Sequence, residues 1–106
     1  MPLTRDFKET IRARVERDHK FRKELLRQGV EAMLTGDVGT AKTILRDYIN
    51  ATLGFTDLAE ATLIPSKSLM IMLGPAGKPG ADNLFKIVSF LQRRERVRFE
   101  VQSSSS

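Results

Sequence analysis

Two sets of side chains in this sequence have the types and spacing to do chemistry. The first is a row of carboxylates, Glu9, Glu16, Glu24 and Glu31, at near-helical spacing among lysines and arginines. A catalytic acid–base pair needs burial or a cleft to bring its proton affinity near neutral pH. Carboxylates interleaved with cations on a helix surface read instead as solvated ion pairs, each worth a few tenths of a kcal/mol. The second set is made of donors: Thr56, then Ser66, Lys67 and Ser68, then Lys78. Hydroxyl and ammonium groups near the start of a helix donate to phosphate oxygens and to base edges, which is recognition chemistry and not bond making.

Other reactive groups are scarce. There is no cysteine, so no disulfide framework and no thiol nucleophile, and the one histidine, His19, reads as a surface residue. Gly77-Lys78 resembles part of a phosphate loop but lacks both the preceding strand and the Gly-Lys-Ser/Thr ending. Met33, Met70 and Met72 read as packing. The expectation is a chain that is not an enzyme and holds no cofactor or metal. No apolar run approaches the roughly 20 residues needed to span a bilayer, and the opening MPLTRDFKET has no apolar leader core. A cytoplasmic location is expected.

The charge points to a partner. The 106 residues carry a net charge of +5. Residues 1–64 are nearly balanced, with 11 basic and 10 acidic side chains, whereas residues 65–98 hold seven basic and two acidic ones. Such a stretch suits a polyanion.

The elements that must position these groups follow from the apolar spacing. Phe7, Ile11 and Val15, behind Thr4 as a cap, predict a first helix. Phe21, Leu25, Gly29 and Met33 continue the spacing behind Asp18 and predict a second. Gly36 ends it and Asp37 caps a third, traced by Ala41, Ile44, Leu45, Tyr48 and Ile49 and closed by Gly54. Thr56 is expected to cap a fourth helix from Asp57 to Thr62, and Ser66 a fifth through Leu69 and Met72 to Leu73. Residues 74–80 must be a loop. Leu84, Phe85, Ile87, Val88 and Leu91 mark a sixth helix. Beyond Arg94 the period changes to two: Val97, Phe99 and Val101 alternate with polar residues, which predicts a short strand. A lone strand leaves its backbone unpaired. Pairing with a second copy resolves this; the alternative is a segment lying irregularly on its own domain. Ser103 to Ser106 form a low-complexity tail expected to be disordered.

Residues 55–74, FTDLAEATLIPSKSLMIMLG, fit a helix-turn-helix. The plan needs a small residue at its fifth position, where the helices cross, and Ala59 stands there. It needs apolar residues at the fourth, tenth, fifteenth and eighteenth, which are Leu58, Ile64, Leu69 and Met72. The outward positions of the second helix then include Ser66, Lys67, Ser68, Met70 and Ile71.

Across nearly its whole length the chain also resembles the Cro/lambda-repressor-type regulators known as addiction-module antidote proteins. The segments DFKETIRARVERDHKFRKELLRQGVEAMLTGD and ILRDYINATLGFTDLAEAT, then SKSL, ML and NLFKI in order, carry the resemblance. It implies a lambda-repressor-like helical domain, operator binding as a dimer, and often a small toxin partner. This chain departs from the pattern in three places. Relatives carry glycine where Leu63 stands, a polar or basic pair where Met70 and Ile71 stand, and asparagine where Lys78 stands.

The sequence thus predicts a mainly α fold with N-terminal helices in residues 1–36 and a helix-turn-helix domain in 37–94. A strand in 95–102 dimerises through Val97, Phe99 and Val101, and a tail occupies 103–106. Duplex DNA is the expected partner, met by Thr56, Ser66, Lys67, Ser68, Met70, Ile71 and Lys78, with a cognate toxin as a further partner. The alternative is a protein-interaction module with the same fold, which binds a toxin or another protein and reads DNA weakly or not at all.

Overall fold

In the computed structural model, Ala13 and residues 17–104 are described. The helix expected around Phe7, Ile11 and Val15, its cap Thr4, the carboxylates Glu9 and Glu16, and the last two serines lie outside the described residues. From Asp18 onward each helix begins where the local chemistry directs. The Asp18 carboxylate accepts from the Phe21 backbone N–H at 3.1 Å and opens α1, His19–Leu34. Gly36, at φ 84°, turns the chain after α1. Asp37 then accepts from the Thr40 backbone N–H at 3.2 Å and from its hydroxyl at 2.7 Å, opening α2, Val38–Ala51. Each such cap satisfies a donor that the first helical turn leaves without a partner.

α3 spans Gly54–Thr62 and α4 spans Ser66–Met72. α3 starts before its expected cap, and α4 starts at its own. Gly54 takes φ 81° and turns the chain within three residues of the end of α2, so α3 is under way before Thr56, which is exposed in its first turn. Pro65 occupies the cap position of α4, its carbonyl accepting from the Leu69 N–H at 3.0 Å, so Ser66 is the first helical residue and not the cap. α5 spans Ala81–Glu95. No helix among the described residues is long and apolar enough to cross a membrane.

The five helices of the described residues feed one core. Leu26 of α1, Leu45, Tyr48 and Ile49 of α2, Phe55 and Leu58 of α3, Leu69 of α4 and Ile87 and Leu91 of α5 belong to the same buried cluster. Phe85, expected on the apolar stripe of α5, is 58% exposed instead. It lies two residues from Ile87 and three from Val88, off the arc those two bury.

Polar contacts tie the ends of the bundle together. Glu95, the last residue of α5, is buried, and three donors from two other helices converge on its carboxylate. Arg22 Nε lies 2.9 and 3.0 Å from its two oxygens, His19 Nδ1 2.8 Å from Oε2, and the Tyr48 hydroxyl 2.5 Å from Oε1. Burial pushes the Glu95 carboxyl up, but the hydrogen bonds from Arg22, Tyr48 and His19 outweigh it and leave it below the ordinary glutamate range. Burial, and then the bond to Glu95, push the Tyr48 phenol up, so it stays protonated and donates. His19, read as a surface residue, is half-exposed yet bound through its ring. Of the carboxylates expected in surface ion pairs, Glu24 and Glu31 both pair with Arg27, at 2.7 Å and 2.6 Å.

Beyond Arg96, whose φ of 58° ends α5, residues 97–102 form no strand ladder within the chain. A ladder needs a second strand, and the described residues offer none. The Val97 N–H donates to the Gln92 carbonyl at 3.0 Å, and the Phe99 N–H to the Gln92 side-chain oxygen at 2.9 Å. Val97 and Phe99 pack half-buried against the core, whereas Val101 is 79% exposed.

Leu63, between α3 and α4, adopts φ 59°, ψ 26° and is 86% exposed. The left-handed conformation strains a branched side chain, and this one gains no burial in return. Leu63→Gly is therefore expected to stabilise the fold by roughly 1 kcal/mol, the sterically relieved turn outweighing the added freedom of the unfolded chain. Urea denaturation of the two proteins measures it. A lower midpoint for the glycine variant would refute the strain assignment.

Candidate nucleic-acid interface

The residues of 55–74 divide by side between core and surface. Leu58 and Leu69 are fully buried, and Ala59, Ile64 and Met72 pack half-buried against the core. With 100° per residue, burial of Leu69 and Leu73 leaves an outward arc on α4 centred on Lys67 and Ile71, flanked by Met70 and Ser68. Their exposures agree: Lys67 and Ser68 are exposed, Met70 is 52% exposed, and Ile71 62%, while Ser66 at the edge of the arc is half-buried. Met70 is thus not core packing. Met33 and Met72 are, each lying partly buried on the core.

The second structural feature is the support under the loop that follows α4. Lys42 of α2 is buried, and its ammonium donates to three loop carbonyls, Gly74 at 3.0 Å, Pro75 at 3.4 Å and Gly77 at 2.7 Å. Arg46, one turn further along α2, donates to the Leu73 carbonyl at 3.2 Å. These two cations hold carbonyls of the segment that follows α4, and the Gly74 carbonyl also accepts from the Gly77 N–H at 3.1 Å. Gly77 lies so close to the end of α4 that a Cβ there would fall 2.1 Å from the Ile71 carbonyl oxygen and 2.5 Å from that of Met72. On the other side, Asn83 of α5 donates to the Met72 sulfur at 3.6 Å. α4 is short, seven residues, and its orientation depends on these neighbours. Lys78, next to Gly77, is exposed.

None of these supports was anticipated from the sequence. Lys42 carried a signal, since it falls three residues before Leu45 and seven before Ile49, on the buried arc of α2. A lysine in an apolar stripe needs a buried acceptor.

The electrostatics of residues 65–98 are more one-sided than the sequence count. All seven basic side chains of this stretch are exposed. Of its two carboxylates, Asp82 is exposed, but Glu95 is buried and occupied by Arg22, His19 and Tyr48. The surface of this third of the chain therefore presents seven cations against one carboxylate.

Thr56 is separated from this arrangement in role. It sits exposed in the first turn of α3, where its hydroxyl is accessible but makes no cap. Val97, Phe99 and Val101 lie at the end of α5, on a segment distinct from α4.

Compared with models of known protein families, with curated protein sequences and with solved structures, the chain matches none.

Proposed function

We propose that this chain is a sequence-specific duplex-DNA-binding protein acting as a dimeric transcriptional repressor. In this reading α3 crosses the phosphate backbone and α4 lies in the major groove. The observation that carries it is the outward arc of α4, Lys67 and Ile71 flanked by Ser68 and Met70, held by inward motif residues and by the Lys42-braced loop. Lys67 and Ser66 donate to base edges or nearby phosphates, and Ile71 offers an apolar contact to a thymine methyl. Thr56 and Lys78 hold phosphates and fix register without reading sequence. The resemblance to antidote proteins supports the narrower role of an antitoxin, with a small toxin as a second partner in the cytoplasm.

A protein-interaction role is the second reading. Its specific support is the exposure of Leu63, Met70 and Ile71, three large apolar side chains on or beside the outward arc of α4. One experiment separates the two. In a gel shift against the DNA upstream of its own reading frame, run at several salt concentrations, the chain retards the duplex at low salt. Affinity then falls steeply as salt rises, with a logarithmic slope near −0.9 for each phosphate neutralised. Absence of retardation at low salt would reject the repressor reading in favour of the protein-interaction one.

A further inference from the structure

We infer that residues 97–101 pair with the same segment of a second copy as an antiparallel ribbon centred on Phe99. This specifies the dimer of the proposed repressor, but it rests on the C-terminal segment and not on α4. Successive N–H groups of an extended segment point to opposite edges. The N–H groups of Val97 and Phe99 both turn inward, onto the carbonyl and side-chain oxygen of Gln92. The other edge therefore carries the N–H groups of Arg98 and Glu100, which make no hydrogen bond among the described residues. An edge of this kind is a template for a second strand.

The side chains select the register. With the twofold axis at Phe99, Arg98 stands opposite Glu100 of the second copy, twice over, and Val97 stands opposite its Val101. Centring one residue earlier sets Arg98 against Arg98, and one residue later sets Glu100 against Glu100. Centring at Val97 sets Arg96 against Arg98. Like charges directly opposed destabilise a strand pair, and opposite charges stabilise it. The backbone selects the same register. Because the Phe99 N–H is held by its own domain, the two Phe99 residues form a non-hydrogen-bonded pair, the kind whose side chains approach most closely. Arg98 and Glu100 then supply the cross-strand hydrogen bonds from the unoccupied edge. The segment also forms one wall of a groove of about 540 Å³ between α1 and α5. Leu34, Phe85 and Val101 line this groove and are 59%, 58% and 79% exposed, which gives a second copy apolar surface to cover.

Charge reversal on the full chain tests the register. A truncation before Glu95 would remove the buried carboxylate, whereas Arg98 and Glu100 are exposed and leave the core intact. Sedimentation equilibrium without DNA reads the dimer dissociation constant. Arg98→Glu alone and Glu100→Arg alone are each expected to weaken the dimer on the order of tenfold, since each turns both cross-strand pairs into like charges. The double variant Arg98→Glu/Glu100→Arg is expected to return within about twofold of the unmodified chain, because the pairs are restored with their signs exchanged. A monomeric unmodified chain, single variants that dimerise normally, or a double variant as weak as the singles would each overturn the inference. Loss of DNA binding with the dimer intact would overturn the repressor reading and leave this one standing.

Discussion

Replacing Glu95 with alanine is expected to lower the unfolding free energy by roughly 2–3 kcal/mol, less than the cost of breaking a fully buried charged pair because Arg22 is 19% exposed and His19 52%. The substitution leaves the Tyr48 hydroxyl buried without its acceptor and Arg22, only 19% exposed, without its carboxylate. It also frees the last turn of α5 from α1 and α2, since the carboxylate is where these helices meet through polar groups. For a domain of ordinary stability, this is a large fraction of the total. Glu95→Gln keeps the shape but places an amide NH2 among three donors, so it should also destabilise, by less than the alanine variant.

The same carboxylate gives the fold an acid limb with a defined sign. The folded-state pKa of Glu95 lies below its unfolded value. Its contribution is therefore fully present above the unfolded value, roughly 4.3 for glutamate, and is lost as pH falls through the lower folded value. Urea midpoints measured from neutral pH to about pH 3 should fall more steeply for the unmodified chain than for Glu95→Gln. A cost below about 1 kcal/mol for Glu95→Ala, or equal acid limbs for the two proteins, would show that the cluster is not a structural tie.

What could be read from the sequence was whatever depends on near neighbours. Asp18 and Asp37 cap α1 and α2 as expected, because a cap involves only the next three residues. The stripe Ala41, Leu45, Tyr48, Ile49 is buried because helical period alone puts it on one face. The inward motif positions on α3 and α4 were legible for the same reason. The starts of those two helices were not, because the positive φ of Gly54 and the placement of Pro65 competed with the hydroxyl caps and prevailed. The departure from the pattern at Leu63 was visible, but its exposure was not, since that depends on what surrounds the turn. The Glu95 cluster was out of reach. His19 and Glu95 are 76 positions apart, and neither has a local pattern that names the other. The clamp from Lys42 to the loop spans 32 to 35 positions and carried only the weak signal of a charge in an apolar stripe. The alternation of Val97, Phe99 and Val101 was legible as a pattern. Whether it becomes a strand is decided by a second chain, which no single sequence contains.

In the proposed function α4 enters the major groove with Lys67 and Ile71 foremost. Both side chains lie on the outward arc, so replacing them removes contacts without opening the core. If Lys67 reads a base, Lys67→Ala should cost about 1–3 kcal/mol, on the order of 5- to 150-fold in affinity, and relax the preference at one base pair. If it holds a phosphate, affinity should fall about equally on all sequences and the salt slope should shrink by about one unit. Ile71 can contribute only an apolar contact, so Ile71→Ala should lose affinity chiefly for duplexes with thymine at the facing position. The deciding measurement is equilibrium binding of the unmodified chain, Lys67→Ala and Ile71→Ala to a pool of randomised duplexes, with salt varied. Lys67→Ala is expected to show one of its two signatures, and Ile71→Ala to lose preference for thymine at a single position. Unchanged affinity and unchanged preference in both variants would contradict it, because a helix lying in the groove cannot lose its two foremost side chains without effect.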